Sequence, residues 1–154
     1  MSDPRPIGVF DSGVGGITVL KAIHDLLPNE DLVYLGDTAR LPYGTKSADT
    51  VVRYATQAAD ALIARDIKLL VIACNTASAV GTPLLAEKFA PVPVIGVVEP
   101  GAEAAIAASQ SGRIAIIATE GTVRGEAYPK AIHERAPNAQ VTQASATVFV
   151  ALAE

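Results

Sequence analysis

Short apolar runs alternate with longer stretches of helical spacing along this 154-residue chain, and this rhythm restricts the possible folds more than any other feature. The apolar runs predict strands over residues 7–10, 32–35, 69–73, 92–98 and 113–118, and a weaker one from 141. The stretches between them predict helices over residues 13–27, 47–62, 76–89, 101–109 and 122–136, and a further one over 148–154. Strand–helix–strand repetition is typical of parallel sheets with right-handed crossovers. We therefore predict an α/β, flavodoxin-like fold, in which helices cover both faces of a parallel sheet.

Several residues mark where the predicted elements begin and end. Ser47 is a suitable N-cap for the second helix, and Gly112 is a suitable stop after the fourth. Pro129 would disturb the middle of the fifth helix unless that helix begins there. The one candidate domain boundary is Val-Glu-Pro-Gly at residues 98–101, where a predicted strand passes into turn-forming residues.

Composition and charge exclude several classes of function. Half of the residues are hydrophobic and 18% are charged, which is enough apolar material for a buried core. The net charge is −4 and no segment carries a Lys/Arg cluster, so the sequence predicts neither nucleic-acid nor anionic-membrane binding. Residues 1–6 lack the apolar core of a signal peptide, and no apolar run is long enough to span a bilayer. We expect a cytoplasmic protein.

Small polar residues follow four of the predicted strands. Ligands of open parallel sheets bind beyond the carboxyl ends of the strands, so these residues are candidates for one binding edge. They are Asp11 and Ser12 after the first strand, Asp37, Pro42, Tyr43 and Gly44 after the second, Cys74, Asn75 and Thr76 after the third, and Thr119 and Thr122 after the fifth.

Most of these residues also have a purely structural explanation. Asp11 could be an ordinary helix cap, Thr76 could cap the next helix, and Tyr43 could pack its ring in a turn. The glycine loop at residues 13–16 matches neither the dinucleotide nor the P-loop spacing, although free amides at a helix N-terminus can hold a carboxylate.

The single cysteine, Cys74, is harder to explain structurally. One cysteine allows no internal disulfide and no multi-cysteine zinc site, and an isolated cysteine is usually a small buried hydrophobe. Cys74, however, ends an apolar strand and precedes a helix, whose dipole favours the thiolate, so we expect a lowered pKa and a functional thiol. No lysine ends a strand, so pyridoxal phosphate has no evident anchor.

Several separated motifs, in the right order, resemble those of the glutamate racemases in the aspartate/glutamate racemase superfamily. The motifs cover nearly the whole chain and are Asp-Ser-Gly-Val-Gly-Gly at 11–16, Gly-Asp-Thr-Ala-Arg at 36–40, Pro-Tyr-Gly at 42–44, Ala-Cys-Asn-Thr-Ala-Ser at 73–78, Ile-Gly-Val-Val-Glu-Pro at 95–100 and Ala-Thr-Glu-Gly-Thr-Val at 118–123.

The resemblance implies two similar α/β domains facing each other across a cleft, here residues 1–98 and an incomplete second domain over 99–154. It implies conversion of L-glutamate to D-glutamate for peptidoglycan, with no metal or organic cofactor, and it allows a homodimer. Two cysteines would move a proton on opposite faces of the α-carbon, as inversion without a cofactor requires. By the same resemblance, Cys74 is one catalytic thiol and Asp11 its assisting acid. The implied glutamate contacts are Asp11, Ser12, Pro42, Tyr43, Gly44, Asn75, Thr76, Thr119 and Thr122.

The sequence departs from the family pattern in its last part. The family's second cysteine lies in a Gly-Cys-Thr-His motif that these residues do not contain, so we expect a truncated and inactive chain. Glu154 is a candidate for a family glutamate that assists that second cysteine. Two alternatives remain: a related enzyme such as an aspartate racemase or a one-cysteine decarboxylase or isomerase, and an inactive protein that only binds a dicarboxylate. The motifs at 11–16 and 42–44 favour glutamate racemase over the related enzymes.

Overall fold

The computed structural model describes residues 3–146 and 148–149, and it contains six strands in two parallel sheets. The strands are β1 (Ile7–Asp11), β2 (Leu32–Gly36), β3 (Leu69–Ile72), β4 (Val94–Gly96), β5 (Arg113–Ala118) and β6 (Gln140–Ser145). The α-helices are α1 (Ile17–Leu26), α2 (Ala48–Ile63), α3 (Asn75–Lys88), α4 (Val98–Ala108), α5 (Glu120–Arg124) and α6 (Ala127–Arg135), with a short 3-10 helix at Tyr43–Thr45.

The first sheet has the order β2-β1-β3-β4 and is covered on both faces, as the sequence predicts. Alternation along β1 divides its side chains between two cores. Val9 belongs to a cluster with Val19 and Ile23 of α1, whereas Phe10 belongs to the larger cluster on the opposite face with Leu62 and Leu85 of α2 and α3. This arrangement brings the carboxyl ends of β1, β2 and β3 together at one edge.

The second sheet consists of β5 and β6, whose residues pair in parallel from Arg113 with Gln140 to Ala118 with Ser145. Helices α4 and α6 pack on one face of this sheet, where Ile114 and Ile132 are buried. On the other face, Ile117 is 66% exposed. Within the described residues, then, the second sheet has helices on one side and a separate core from the first sheet.

Local structure differs from the sequence-based expectation at three places. The fourth strand is shorter than predicted because Val98 already lies in the first turn of α4, with Pro100 in the same turn. The helix predicted over 122–136 is two helices, α5 and α6, separated at Glu126, whose φ of 49° cannot continue a helix. Gly112, at φ 68°, lies beyond the end of α4 and just before β5 rather than at the helix stop.

The end of the chain was assigned a helix over 148–154 and the candidate carboxylate Glu154. Apart from residues 148 and 149, this segment lies outside the described residues. Among the helices that the structure describes, none combines the length and the apolar character needed to cross a membrane.

Candidate active site

A cavity of about 370 Å³ opens at the carboxyl edge of the first sheet. It collects nearly all of the residues that the sequence places at this edge, and its far wall comes from the loop after β5. The predicted site residues in its lining are Asp11, Ser12, Pro42, Tyr43, Gly44, Cys74, Asn75, Thr76 and Thr119. Asp37 and Thr122 are the exceptions, and Thr122 borders a second cavity of about 580 Å³ on the other side of Asn75 and Thr119.

Cys74 lies between β3 and α3, where it is the N-cap of the helix and is 6% exposed. Its Sγ donates a hydrogen bond to the Ser12 hydroxyl oxygen at 3.4 Å and accepts one from the backbone N–H of Ala77 at 3.4 Å. Burial nevertheless raises the pKa of the thiol above its ordinary value; the Ser12 and Ala77 hydrogen bonds oppose the increase, and the charge of Asp11 adds to it. The expected lowering of the Cys74 pKa is therefore wrong, because desolvation of the thiolate exceeds the stabilisation by these hydrogen bonds at the helix N-terminus.

Asp11 ends β1 and is buried beside the glycine loop. One oxygen, Oδ2, accepts hydrogen bonds from the backbone N–H groups of Gly13 and Gly16, both at 3.0 Å. The carboxylate therefore does organise the turn into α1, as the structural explanation proposed. The same carboxylate lines the cavity near Cys74, so holding the turn does not exclude a chemical role.

Tyr34 and Tyr43 support the cavity from behind. The Tyr34 hydroxyl donates to the carbonyl of Gly13 at 2.9 Å, and burial, followed by the charge of Asp11, raises the pKa of Tyr34 to about 12. The Tyr43 hydroxyl donates to the buried carboxylate of Asp37, which also pairs with the Arg40 guanidinium at 2.7 Å. Burial, reinforced by that hydrogen bond, raises the pKa of Tyr43 as well, so both phenols are neutral donors at neutral pH.

This arrangement limits how Tyr43 can contact a ligand. Its ring is 1% exposed and packs between Phe10 and Tyr54, with centroid separations of 6.1 and 5.8 Å. Since the hydroxyl is committed to Asp37, the part of the 42–44 segment that can serve a ligand is its backbone. Asp37 belongs to a motif found in the sequence, but nothing in the sequence shows that it meets Tyr43.

Three threonine hydroxyls join the two sheets at the cavity wall. Thr76 lies 2.8 Å from Thr119 and 3.2 Å from Thr122, and Thr119 lies 2.9 Å from Thr122, all between Oγ1 atoms. Thr119 also caps α5 by accepting from the backbone N–H of Thr122 at 3.2 Å. Thr122 is 1% exposed, and its hydroxyl contacts the hydroxyls of the other two threonines.

The close approach of the segments that follow the two sheets also depends on Gly44. A Cβ atom at this position would lie 2.5 Å from Cβ of Thr119, closer than side chains can pack. The glycine therefore lets the short 3-10 helix touch the start of α5, which closes the cavity between the two sheets.

Asn75, the first residue of α3, is exposed and borders both cavities. Its Oδ1 accepts a hydrogen bond from the Tyr128 hydroxyl of α6 at 2.6 Å. Sequence reasoning did not identify Tyr128 as part of the site, because it lies 53 positions from Asn75 and inside a helix. The packing of α6 against α3 and α4 brings them together.

The cavity thus combines a thiol, a carboxylate and small hydroxyl groups. The Asp/Glu/Hydantoin racemase family model matches residues 7–153, and the chain therefore belongs to this family.

Sequence and structure comparisons give consistent relatives within the family. The glutamate racemase of Geobacter metallireducens is 55% identical over 150 residues, which are 97% of this chain and 55% of that protein. The Francisella tularensis glutamate racemase, solved in complex with D-glutamate, is 42% identical with a TM-score of 0.91, covering 98% of this chain and 56% of that one. The Escherichia coli glutamate racemase, solved with L-glutamate and the activator UDP-MurNAc-ala, is 36% identical with a TM-score of 0.79, covering 97% and 56%. The chain thus spans a little over half the length of these relatives.

Proposed function

We propose that this chain forms one half of a cofactor-independent glutamate racemase site, with Cys74 as one of the two proton-transferring thiols. The observation that carries the proposal is the grouping of Cys74, Ser12 and Asp11 in one cavity at the carboxyl edge of a parallel sheet. The similarity to glutamate racemases, one of them solved with D-glutamate, supports glutamate as the substrate.

The cavity offers glutamate complementary groups for its charges. Its mouth contains the glycine loop and the start of α3, and N–H groups at such positions bind carboxylates. We assign carboxylate and ammonium contacts to Ser12, Asn75, Thr76 and Thr119 and to the backbone of the 42–44 segment. Thr122 would act through Thr76 and Thr119, because its buried hydroxyl contacts both.

The proton chemistry follows from the raised pKa of Cys74. The raised pKa keeps the thiol protonated at neutral pH, and the protonated thiol is the form that delivers a proton to the α-carbon. When glutamate enters, its ammonium group places a positive charge in the cavity and favours the thiolate, which is the form that removes a proton. The Asp11 carboxylate, which lines the same cavity, would hold that ammonium group and accept the proton that the thiol releases. A second thiol on the opposite face would complete the inversion.

We further propose a division into domains over residues 1–98 and 99–154, supported by the two sheets and their separate cores. The physiological role we propose is cytoplasmic supply of D-glutamate for peptidoglycan and hence for cell shape. Its support is the relative solved with the activator UDP-MurNAc-ala.

A homodimer is proposed as well, since α1 exposes Ile17 and Leu26 at 50% and 79%. Analytical ultracentrifugation tests that assembly.

Isotope exchange tests the catalytic proposal. The 154 residues contain one cysteine, so we expect the chain by itself to bind glutamate and to exchange the α-proton slowly with retained chirality. Incubation with L-glutamate in D₂O, followed by proton NMR and circular dichroism, measures both processes, and Cys74→Ser is the control that should abolish exchange. Exchange that persists in Cys74→Ser would refute the role of this thiol. Sustained formation of D-glutamate would refute the need for a second one.

Aspartate and an arylmalonate in parallel incubations separate glutamate racemisation from the related activities. Calorimetry with L- and D-glutamate separates both from simple binding, because binding can survive when proton transfer does not.

A further inference from the structure

The hydrogen bond between Tyr128 and Asn75 links α6 to the mouth of the cavity. The phenol oxygen lies 2.6 Å from Oδ1 of Asn75, within the range of a good O–H···O bond. Burial raises the pKa of Tyr128, so the phenol keeps its proton and donates it at neutral pH. The carboxamide oxygen of Asn75 is therefore committed to the protein.

This contact determines which side of the Asn75 carboxamide is left for a ligand. A carboxamide carries an acceptor oxygen and a two-proton donor nitrogen, which lie in its plane on either side of the Cβ–Cγ bond. Tyr128 lines the second cavity of about 580 Å³, and Asn75 forms part of the wall between that cavity and the one containing Cys74. With its oxygen directed to Tyr128, the amide presents Nδ2 away from it. Among the described residues, no group accepts a hydrogen bond from this nitrogen.

Tyr128 is itself held in place by α4. A Cβ atom built on Gly101 would lie 2.9 Å from the Tyr128 hydroxyl oxygen and 3.0 Å from its Cε1. The absence of a side chain at Gly101 therefore gives the phenol the space it occupies. The position of the Asn75 amide thus depends on packing between α4 and α6, in the part of the chain that follows the first sheet.

We propose that Tyr128 is a positioning residue for substrate binding, whose hydroxyl holds the Asn75 carboxamide so that its Nδ2 protons are offered to a carboxylate in the Cys74 cavity. The substrate part of this inference rests on the proposed glutamate site, whereas the orientation of the amide does not. Tyr128 does not touch the ligand and acts only through Asn75.

Three variants test the orientation by NMR. Tyr128→Phe removes the hydroxyl and keeps the ring, and Gly101→Ala displaces the phenol without removing its hydroxyl. Tyr54→Phe is the matched control, because no hydrogen bond from the Tyr54 hydroxyl is present within the described chain and its ring lies in another core. The side-chain ¹⁵N–¹H signals of Asn75, assigned with Asn75→Ala, should move in the first two variants toward the values of a solvent-exposed asparagine and stay in place in Tyr54→Phe. Unchanged Asn75 signals in Tyr128→Phe would overturn the proposal.

Calorimetry tests the consequence for binding. We expect Tyr128→Phe to raise the Kd for glutamate about 3- to 10-fold, the range of one neutral hydrogen bond, without a comparable loss of thermal stability. In an Asn75→Ala background the same substitution should have no further effect, since Tyr128 acts through Asn75. An equal loss of affinity in both backgrounds would overturn the proposal. If the unmodified chain binds no glutamate, the proposed substrate fails, while the NMR signals still decide whether Tyr128 holds the amide.

Discussion

Replacing Thr122 by valine removes one hydroxyl from the cluster of three threonines and leaves the shape of the side chain nearly unchanged. The Thr122 hydroxyl lies within hydrogen-bond distance of Thr119 at 2.9 Å and of Thr76 at 3.2 Å, and the residue is 1% exposed. Valine makes neither bond, so Thr76 and Thr119 keep only their hydrogen bond to each other at 2.8 Å. Each neutral hydrogen bond contributes about 0.5–1.5 kcal/mol net, so we expect a loss of about 2 kcal/mol in the free energy of unfolding.

Thermal and urea unfolding, followed by far-ultraviolet circular dichroism, measure this loss. For a chain of about 150 residues, a loss of that size lowers Tm by about 4–8 °C. Thr142→Val is the matched control, because Thr142 is exposed on β6 and its substitution should change stability by less than about 0.5 kcal/mol. A Thr122→Val protein as stable as this control would refute the conclusion that the threonine hydroxyls connect the two sheets.

Three further substitutions or titrations follow from the site. The alkylation rate of Cys74 should rise with pH with a midpoint above about pH 8.5, and glutamate should slow the reaction. Because burial raises the pKa of the thiol in the folded state, the stability contributed by the neutral thiol is present below about pH 8.5 and is lost as the pH rises through the folded-state pKa. Urea unfolding between about pH 7 and 10 measures this loss. A midpoint at or below about pH 8.5 would contradict the dominance of burial. Asp11→Asn should lower α-proton exchange far more than Tm, since an amide oxygen can take the place of Oδ2 opposite Gly13 and Gly16; equal losses would indicate a structural role alone. Gly44→Ala should cost about 1–3 kcal/mol in urea unfolding and weaken glutamate binding, whereas Gly81→Ala, whose added Cβ makes only an ordinary contact with Leu85 at 3.6 Å, should lower neither. A Gly44→Ala protein as stable as Gly81→Ala would contradict the close contact with Thr119.

The order of elements could be predicted from the sequence because each strand and helix carries its own periodic pattern. Ser47 does cap α2, with its hydroxyl oxygen accepting from the backbone N–H of Thr50 at 3.3 Å. The break at Glu126 was missed, although Gly125 is a suitable helix stop and Pro129 is compatible with a helix that starts two residues before it. Local patterns thus located the elements, and tertiary packing determined where several of them end.

The chemical state of the site was less predictable than its location. The sequence places Cys74 at a helix N-terminus, which lowers a thiol pKa, but it does not show that the same thiol is 6% exposed. It likewise gives Tyr43 beside the cavity without showing that its hydroxyl is bound to Asp37. Both properties depend on which distant segments cover the residue, and these are long-range contacts.

The cavity is assembled from segments that do not resemble one another in sequence, and small residues make the assembly possible. One wall comes from β1 and β3 with Asp11 and Cys74, whereas the opposite wall comes from the turn between β5 and α5 with Thr119. Each wall can be located by the rule that ligands bind at the carboxyl ends of parallel strands. The distance between the walls, however, is set by Gly44, where an added Cβ would lie 2.5 Å from Thr119. Motifs therefore locate the residues of such a site, while its geometry depends on close contacts between units that the motifs alone do not reveal.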